Sequence, residues 1–509
     1  MQAFHSPAQA ASWLKDHGAL RLVSDSRQIR PGDAFVAWPG SGQDGRRFVH
    51  ASLEAGAVAC LVEADGVGAW PFADSRIAAM TGLKARAGEV AAAFCDHPSR
   101  QMRVVAVTGT NGKTSTAWWC AQWMAAAHES VGLIGTLGAG VPGTDLEPTG
   151  FTTPDPTTLQ SLLRRFATQG CASVVMEASS IGIEQGRLNG VHLHTAVFTN
   201  LSQDHLDYHG TMEAYWAAKR ALFGWDGLQV AVVNTDDAHG RELATSLSAG
   251  ESRPALWTVS LEGKDTPADH HLRVAEKTWT STGLEVVVEE WPSGERVAMS
   301  LAVVGDYNLS NLLCALAVLR SGGVSLADAA EASQALSAVP GRMHAAWTDA
   351  PSDLPLVLVD YAHTPDAVEK ALRALQPLAE HRGGRLWCVL GCGGDRDRGK
   401  RPLMAAAAER EAARLVLTSD NPRSEDPMQI LLEMQQGLTE PVRAIVEPDR
   451  AEAIHEAVNM ADSRDVILLA GKGHEDYQEV AGEKRPFSDV VQGRLALQQR
   501  WNRQKGGQA

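Results

Sequence analysis

No apolar run in this 509-residue chain reaches the ~18 residues that a membrane-spanning helix needs. A membrane protein is therefore not expected. The first residues, Met1 to Pro7, lack the charged start and apolar core of a secretion signal. Positive charge is also short: 46 Lys and Arg stand against 61 Asp and Glu, a net charge of −15. Such a chain has no global basic field to hold nucleic acid, so anionic ligands must be gripped locally by Arg, Lys and backbone N–H groups. The seven cysteines are odd in number and scattered. Cys388 and Cys392 lie four apart, but nothing nearby completes a zinc set. A reduced, cytoplasmic protein is expected. No internal repeat and no low-complexity tract is present.

What remains is an ordinary soluble composition, 44% apolar and 21% charged. The length favours about three domains at ~150 residues each. One stretch dominates: the apolar run Val104–Val107, then Thr108-Gly109, then Gly112-Lys113-Thr114 opening a helical segment. Strand, glycine loop, Lys and Thr in that order grip a nucleotide phosphate chain. Gly109 and Gly112 let backbone N–H groups approach the phosphates. Lys113 supplies a point charge for the β- and γ-phosphates, and Thr114 a hydroxyl for Mg²⁺. The loop is shorter than the usual pattern, because Val107 stands where an earlier Gly is customary.

Residues 1–98 read as a small α/β domain, 99–339 as the phosphate-loop domain and 340–509 as a second Rossmann-like domain. Linkers are expected at Asp96–Arg100 and Val339–Arg342. In the central domain, buried-strand runs at Ser173–Glu177, Ala196–Asn200 and Val230–Asn234 alternate with helical stretches, which implies parallel βαβ units. Each strand closes on a polar residue: Thr108, Glu177, Asn200, Asn234. Ligands bind at the carboxyl ends of strands in open parallel sheets, so these residues are expected on one rim. Alternating segments near 270–305 predict a β-hairpin accessory. After residue 340, strand-to-polar-turn units recur at Leu356–Asp360, Leu386–Asp395, Leu415–Arg423 and Val466–Glu475.

Asn200 to His209 is dense in His and Asp. His205 and His209 have helical zinc spacing, but Leu206 stands where a zinc peptidase needs Glu. Mg²⁺ is the more economical metal beside a phosphate loop, with Glu177 and His205 facing it, although Mg²⁺ prefers oxygen to imidazole. In the last domain, Gly391–Pro402 carries four cations, and Asp420-Asn421-Pro422-Arg423 packs a carboxylate, an amide and a guanidinium into four residues. Arg suits a bidentate carboxylate, while Asp420 or Glu475 suits an ammonium. Together they describe a pocket for a zwitterion.

These motifs in this order resemble the Mur ligases, the ATP-dependent amide-forming enzymes of peptidoglycan precursor synthesis. The carriers are Gly109–Ser115, Glu177–Ser180, Asn200 with Asp204–His209, Tyr215–Lys219, Asp306–Asn311, Gly341–Met343, Asp360–Pro365 and Gly471–Glu475. The resemblance implies a three-domain α/β fold, and ATP and Mg²⁺ as cofactors. It implies that Gly109, Thr110, Asn111, Gly112, Lys113, Thr114 and Ser115 bind ATP, with Asn308 near the adenine. Lys113, Glu177, His205 and Lys219 would be the catalytic set. Thr114, Glu177, His205 and Lys219 would form the magnesium region, Lys219 as a carbamate. For a UDP-N-acetylmuramoyl dipeptide the matching positions are Ser26, Ser41, Gly42, Gln43, Thr152, Thr153, Ser179, Gln185 and Arg187. Thr152-Thr153-Pro154 also reads as a plain helix start, with Thr as N-cap and Pro first. For the incoming amino acid they are Arg396, Asp420, Asn421, Arg423, Gly471 and Glu475, and Asp420–Arg423 resembles the signature for meso-diaminopimelate. Three positions depart from the family pattern: Ile181, the Ser41-Gly42 context and His344.

A monomer is expected. The competing readings are a lysine-adding sibling, which Arg423 opposes, and a folylpolyglutamate synthase relative, which the long first domain opposes. A nucleotide-gated binding protein without ligase chemistry is a third, and the zwitterion pocket speaks against it.

Overall fold

The computed structural model describes the chain except at residues 41, 251–252, 264–265, 281–282, 302 and 507–509. Chain contacts divide it into two compact units, one built from residues 1–274, 288–297 and 310–335, the other from 275–287, 298–309 and 336–509.

The first unit holds two sheets. A five-stranded parallel sheet comes from residues 2–80, and the turn predicted at Pro31-Gly32 leads into its strand Asp33–Ala37, buried at every position. The second sheet is built on Arg103–Thr108, flanked in parallel by Thr195–Phe198 and Ser173–Glu177. These strands are apolar on both faces because helices cover both faces of a parallel sheet. Helix Lys113–Ala126 is one such cover, and its Trp123 indole, fully enclosed, donates to the Ala329 carbonyl at 2.7 Å.

Register places the rim. Thr108 pairs with Phe198 and Val107 with Glu177, so the phosphate loop, Glu177 and Thr199-Asn200 leave the sheet side by side. Asn234 follows Val233, the partner of Phe198. The expected gathering of polar strand ends is therefore real, though Asn234 braces the rim: its amide donates to the Thr199 carbonyl at 2.8 Å. The accessory strands appear as His270–Trp279, Leu284–Trp291 and Glu295–Leu301, with the alternating burial predicted for the second. The segment expected as a linker, Asp96–Arg100, holds the 3-10 turn Pro98–Arg100 with Pro98 and Ser99 buried, and it lies inside the first unit.

The second unit carries a six-stranded sheet in the order His344–Ala345, Leu356–Asp360, Val466–Ala470, Leu386–Leu390, Arg414–Leu417, Ile445–Val446. Only the first strand is antiparallel. Asp360 and Leu390 both pair with Ala470, and Leu390 also pairs with Leu417. Four polar turns thus emerge at one edge, as the strand-to-turn pattern implied. No described helix is long and apolar enough to cross a membrane.

Candidate active site

The phosphate loop sits between the strand end at Thr108 and the helix start at Lys113. Gly109 has φ +147° and Gly112 has φ +85°, backbone that side chains rarely adopt. A Cβ on Gly109 would lie 1.9 Å from Thr199 Oγ1, and one on Gly112 would lie 2.2 Å from Asn311 Oδ1. Both positions exclude a side chain on two independent grounds. The loop is cross-braced: Asn111 N–H donates to Asn200 Oδ1 at 3.0 Å, Asn200 Nδ2 returns to the Asn111 carbonyl at 3.0 Å, and Thr199 Oγ1 donates to it at 2.6 Å. Thr110 Oγ1 donates to the Ser202 carbonyl at 3.1 Å and accepts from the Tyr215 hydroxyl at 3.1 Å. Lys113 Nζ folds over the loop to the carbonyls of Gly109 and Thr110, at 2.9 and 2.7 Å. Ser115 is buried one turn into the helix.

Glu177 is 2% exposed. Its carboxylate accepts from Thr114 Oγ1 at 2.9 Å, Thr136 N–H at 2.7 Å and Thr136 Oγ1 at 3.2 Å. The hydroxyl expected to serve a cation and the expected carboxylate are thus adjacent. Mg²⁺ takes one or two protein oxygens and completes its shell with phosphate and water. The oxygen-only chemistry of Thr114 and Glu177 fits such an ion. Among the described residues no group of three or more His, Cys, Asp or Glu could hold a metal alone. The phosphate-bound ion expected here does not need one.

Lys219 lies in helix Met212–Arg220 and is 1% exposed. Its Nζ donates to the Gly109 carbonyl at 2.7 Å and lies 4.4 Å from the centre of the Tyr215 ring. Sequence alone would make it a surface lysine; tertiary packing buries it. Burial holds its pKa well below the usual lysine range, the Lys113 charge lowers it further, and Asp204 partly opposes both. His205 has φ +51° and a half-exposed ring, 3.5 Å from Asp204 Oδ2 and edge-on to Tyr215. His209 turns instead to Ser180 Oγ at 3.0 Å; burial and then His205 lower its pKa.

A second network adjoins Glu177. Thr152 Oγ1 lies 3.0 Å from Thr136 Oγ1, and Thr153 Oγ1 donates to the Glu177 carbonyl at 3.0 Å. Ser179 N–H donates to Thr153 Oγ1 at 2.9 Å. Arg187 donates to the Thr153 carbonyl at 2.7 Å and to Gln185 Oε1 at 2.8 Å. Thr152, Thr153, Ser179, Gln185 and Arg187 therefore form one cluster. The plain helix start read at Thr152-Thr153-Pro154 is corrected: the cap is Asp155, the first helical residue is Pro156, and Thr153 faces Glu177. Asp155 also accepts from Ser24 Oγ at 2.9 Å, tying the first sheet to this cluster. Ser26 opens a short turn capped by Asp25. Gly42 and Gln43 lie in a turn closed by Gly40 N–H to the Gln43 carbonyl at 2.9 Å, and Ser41 lies outside the described residues.

In the second unit, Asn421 is the hub. Its Oδ1 accepts from Lys472 Nζ at 3.1 Å and Glu479 N–H at 2.9 Å, and its Nδ2 donates to Glu475 Oε2 at 2.7 Å. Asp420 packs against Gly471, whose Cβ would lie 2.5 Å from Asp420 Oδ2. Arg423 takes φ +54°, and its Nη1 donates to the Gly394 carbonyl at 2.7 Å, which fixes the guanidinium plane. Arg396 donates to the Asp395 carbonyl at 3.3 Å. Two of the four cations counted in Gly391–Pro402 are structural. Arg401 is fully buried between Glu425 and Glu433, both at 2.7 Å, and Arg398 pairs with Glu425 at 2.9 Å. Their acidic partners come from a later turn and helix, beyond the reach of local pattern. Asn308 is buried near the start of helix Asp306–Ser321 and donates to the Val304 carbonyl at 2.8 Å.

Sequence reasoning missed three contributors. Thr136 follows the apolar strand Val131–Gly135, the same strand-to-polar signal used elsewhere. Asn311 and Lys472 lay inside quoted motifs, but only their contacts reveal what they touch.

The fold and this geometry define a nucleotide-dependent α/β enzyme with a phosphate loop in one unit and a polar, charged pocket in the other. Residues 107–319 match the model of the Mur ligase middle domain, and residues 341–473 that of the Mur ligase glutamate ligase domain. The chain is 48% identical over 98% of its length to the UDP-N-acetylmuramoyl-L-alanyl-D-glutamate–2,6-diaminopimelate ligase of Acidovorax sp. (strain JS42), covering 99% of that protein. It is 49% identical over 92% of its length to the like-named protein of Chromobacterium violaceum, covering 92% of it. A solved structure bearing the same enzyme name superimposes with a TM-score of 0.68 at 37% identity, covering 95% of each chain. The chain belongs to the Mur ligase family.

Proposed function

We propose that this chain is an ATP-dependent ligase of peptidoglycan precursor synthesis. It adds meso-diaminopimelate to the D-glutamate carboxylate of UDP-N-acetylmuramoyl-L-alanyl-D-glutamate. The observation that carries this reading is near-full-length identity of 48% to a relative of that name, joined to a phosphate loop whose Thr114 meets Glu177 at 2.9 Å. Lysine-adding and folylpolyglutamate alternatives lack that support.

The chemistry follows from charge. The glutamate carboxylate attacks the γ-phosphorus and displaces ADP, giving an acyl phosphate. The diaminopimelate amine then attacks the acyl carbon, phosphate leaves, and the amine loses a proton. Both steps gain from positioning and from neutralising phosphate charge. The N–H groups of Gly109–Ser115 and the Lys113 ammonium cradle the phosphates. Thr114 and Glu177 would hold Mg²⁺, which neutralises charge on the phosphate oxygens when bound. Thr152, Thr153, Ser179, Gln185 and Arg187, with Ser26, Gly42 and Gln43 from turns that follow strands of the first sheet, would hold the nucleotide-sugar dipeptide. Arg396, Asp420, Asn421, Arg423, Gly471 and Glu475 would hold diaminopimelate, Arg423 facing its distal carboxylate. Burial lowers the pKa of Lys219 and so eases loss of its proton, which supports carbamylation: the deprotonated amine adds CO₂ and releases a proton, turning a cation into an oxygen donor.

The test is phosphate release with ATP, Mg²⁺ and the UDP-linked dipeptide, supplied with either diaminopimelate or lysine. Release with diaminopimelate alone is expected; release with lysine alone refutes the substrate assignment.

A further inference from the structure

The diaminopimelate pocket is made by two turns, Asp420–Arg423 and Gly471–Glu475. They follow strands Arg414–Leu417 and Val466–Ala470, which are not neighbours: Leu386–Leu390 lies between them. No backbone ladder therefore joins the two turns at their roots. Farther out, Asn421 meets Lys472 and Glu475; at the roots, Arg450 meets both backbones. Arg450 opens helix Arg450–Met460 and is fully buried. Its Nη1 donates to the Ser419 carbonyl at 3.2 Å, and its Nη2 to the Ala470 carbonyl at 3.0 Å. Ser419 immediately precedes Asp420, and Ala470 immediately precedes Gly471. The guanidinium reaches past the intervening strand and clamps both turns.

The far side of the guanidinium is fixed as firmly. Nε and Nη2 donate to the two Asp489 carboxylate oxygens at 2.7 and 2.6 Å, a bidentate pair with both partners fully buried. Asp489 stands in the first turn of helix Asp489–Gly506. The acidic groups facing Arg450 are Asp489, Asp420 and Glu475, and their attraction outweighs the cost of burial. A buried ion pair is a poor source of stability, because desolving two charges offsets most of their attraction. It is a good source of geometry, because a planar guanidinium with five donors holds carbonyls at set positions.

We propose that Arg450, oriented by Asp489, is a positioning residue for the amine substrate, setting the spacing between the Asp420–Arg423 and Gly471–Glu475 turns. The inference rests on assigning that pocket to diaminopimelate. Arg450 does not touch the substrate; it acts through Asp420, Asn421, Arg423 and Glu475.

The test measures KM for ATP, for the UDP-linked dipeptide and for diaminopimelate in three variants. Arg450→Met with Asp489→Leu removes the whole pair, leaving no buried orphan charge, so the protein is expected to fold. Arg450→Lys keeps a charge opposite Asp489, but its single ammonium loses the fixed fork that meets both carbonyls. Arg423→Ala tests the pocket itself. In both Arg450 variants KM for diaminopimelate rises about tenfold or more, the scale of one lost charge-assisted contact, while KM for ATP stays within about twofold. An unchanged diaminopimelate KM in Arg450→Lys or in the folded double variant overturns the proposal. So does an equal rise for all three substrates, the mark of general loosening. If Arg423→Ala leaves diaminopimelate KM unchanged, the pocket assignment itself fails, whatever the Arg450 variants do.

Discussion

Arg423 offers the sharpest perturbation, because its backbone and its side chain make opposite predictions. The residue takes φ +54°, a left-handed conformation costing a side-chain-bearing residue about 1–2 kcal/mol. Its guanidinium is anchored to the Gly394 carbonyl at 2.7 Å and stands 3.8 Å from Glu479. Truncation to Ala removes the guanidinium and keeps the strained backbone. Truncation to Gly removes the guanidinium and relieves the strain, offset by about 0.5–1 kcal/mol of extra freedom in the unfolded chain. Arg423→Gly should therefore be at least as stable as Arg423→Ala. Losing a bidentate charge-assisted contact to a substrate carboxylate costs roughly 2–4 kcal/mol, or about 30- to 1,000-fold in apparent affinity. Steady-state phosphate release, titrating one substrate at a time, should show that rise in KM for diaminopimelate in both variants. KM for ATP should stay near wild type, because the phosphate loop makes no use of Arg423. Thermal melts of the same samples give the stability order. An unchanged diaminopimelate KM in both variants would refute the role of Arg423. A Gly variant clearly less stable than the Ala variant would refute the backbone argument.

Lys219→Met should abolish ligation yet leave the protein folded, since the Gly109 carbonyl still accepts from Lys113. Because the folded-state pKa of Lys219 is lowered, the unfolded chain binds more protons; in CO₂-free buffer the wild type should gain stability relative to Lys219→Met as pH rises toward 10.5. Thermal midpoints at several pH values check this, and an equal pH slope in both proteins would contradict it. Gly112→Ala places a Cβ 2.2 Å from Asn311 Oδ1 at φ +85°, so KM for ATP should rise about tenfold or more while diaminopimelate KM holds, as steady-state kinetics would report. Glu177→Gln keeps a carbonyl for Thr136 N–H and removes the charge, so the Mg²⁺ concentration for half-maximal rate should rise about tenfold with little change in melting. A Mg²⁺ titration unaffected by the change would remove Glu177 from the cation's surroundings.

The phosphate loop was legible because its logic is local. Strand, Gly109, Gly112, Lys113 and Thr114 lie within a dozen residues, and a continuous apolar run followed by a helix start fixes what the backbone does there. The parallel sheets were legible for the same reason, as was the rim, since βαβ repetition sends every strand end to one edge. Other features depend on partners far along the chain. Thr153 reads locally as a helix cap, yet it hydrogen-bonds the Glu177 carbonyl, and Asp155 does the capping. Arg398 and Arg401 read as ligand cations, yet Glu425 and Glu433 neutralise them.

By itself the sequence determined the class of chemistry, the α/β architecture and the order of the motifs, because these arise from short-range patterns and residue type. Only the tertiary structure decided which polar groups hold ligands and which hold the protein. Lys219 shows the difference: nothing in Tyr215-Trp-Ala-Ala-Lys219 makes that amine buried or shifts its pKa. The fold encloses it against the Gly109 carbonyl, and that burial, with the Lys113 charge, lowers its pKa. Arg450 shows it again, since its hold on Ser419 and Ala470 exists only once a third strand has separated theirs. Charge burial and long-range hydrogen bonding are properties of proximity in space, and the chain acquires them only on folding.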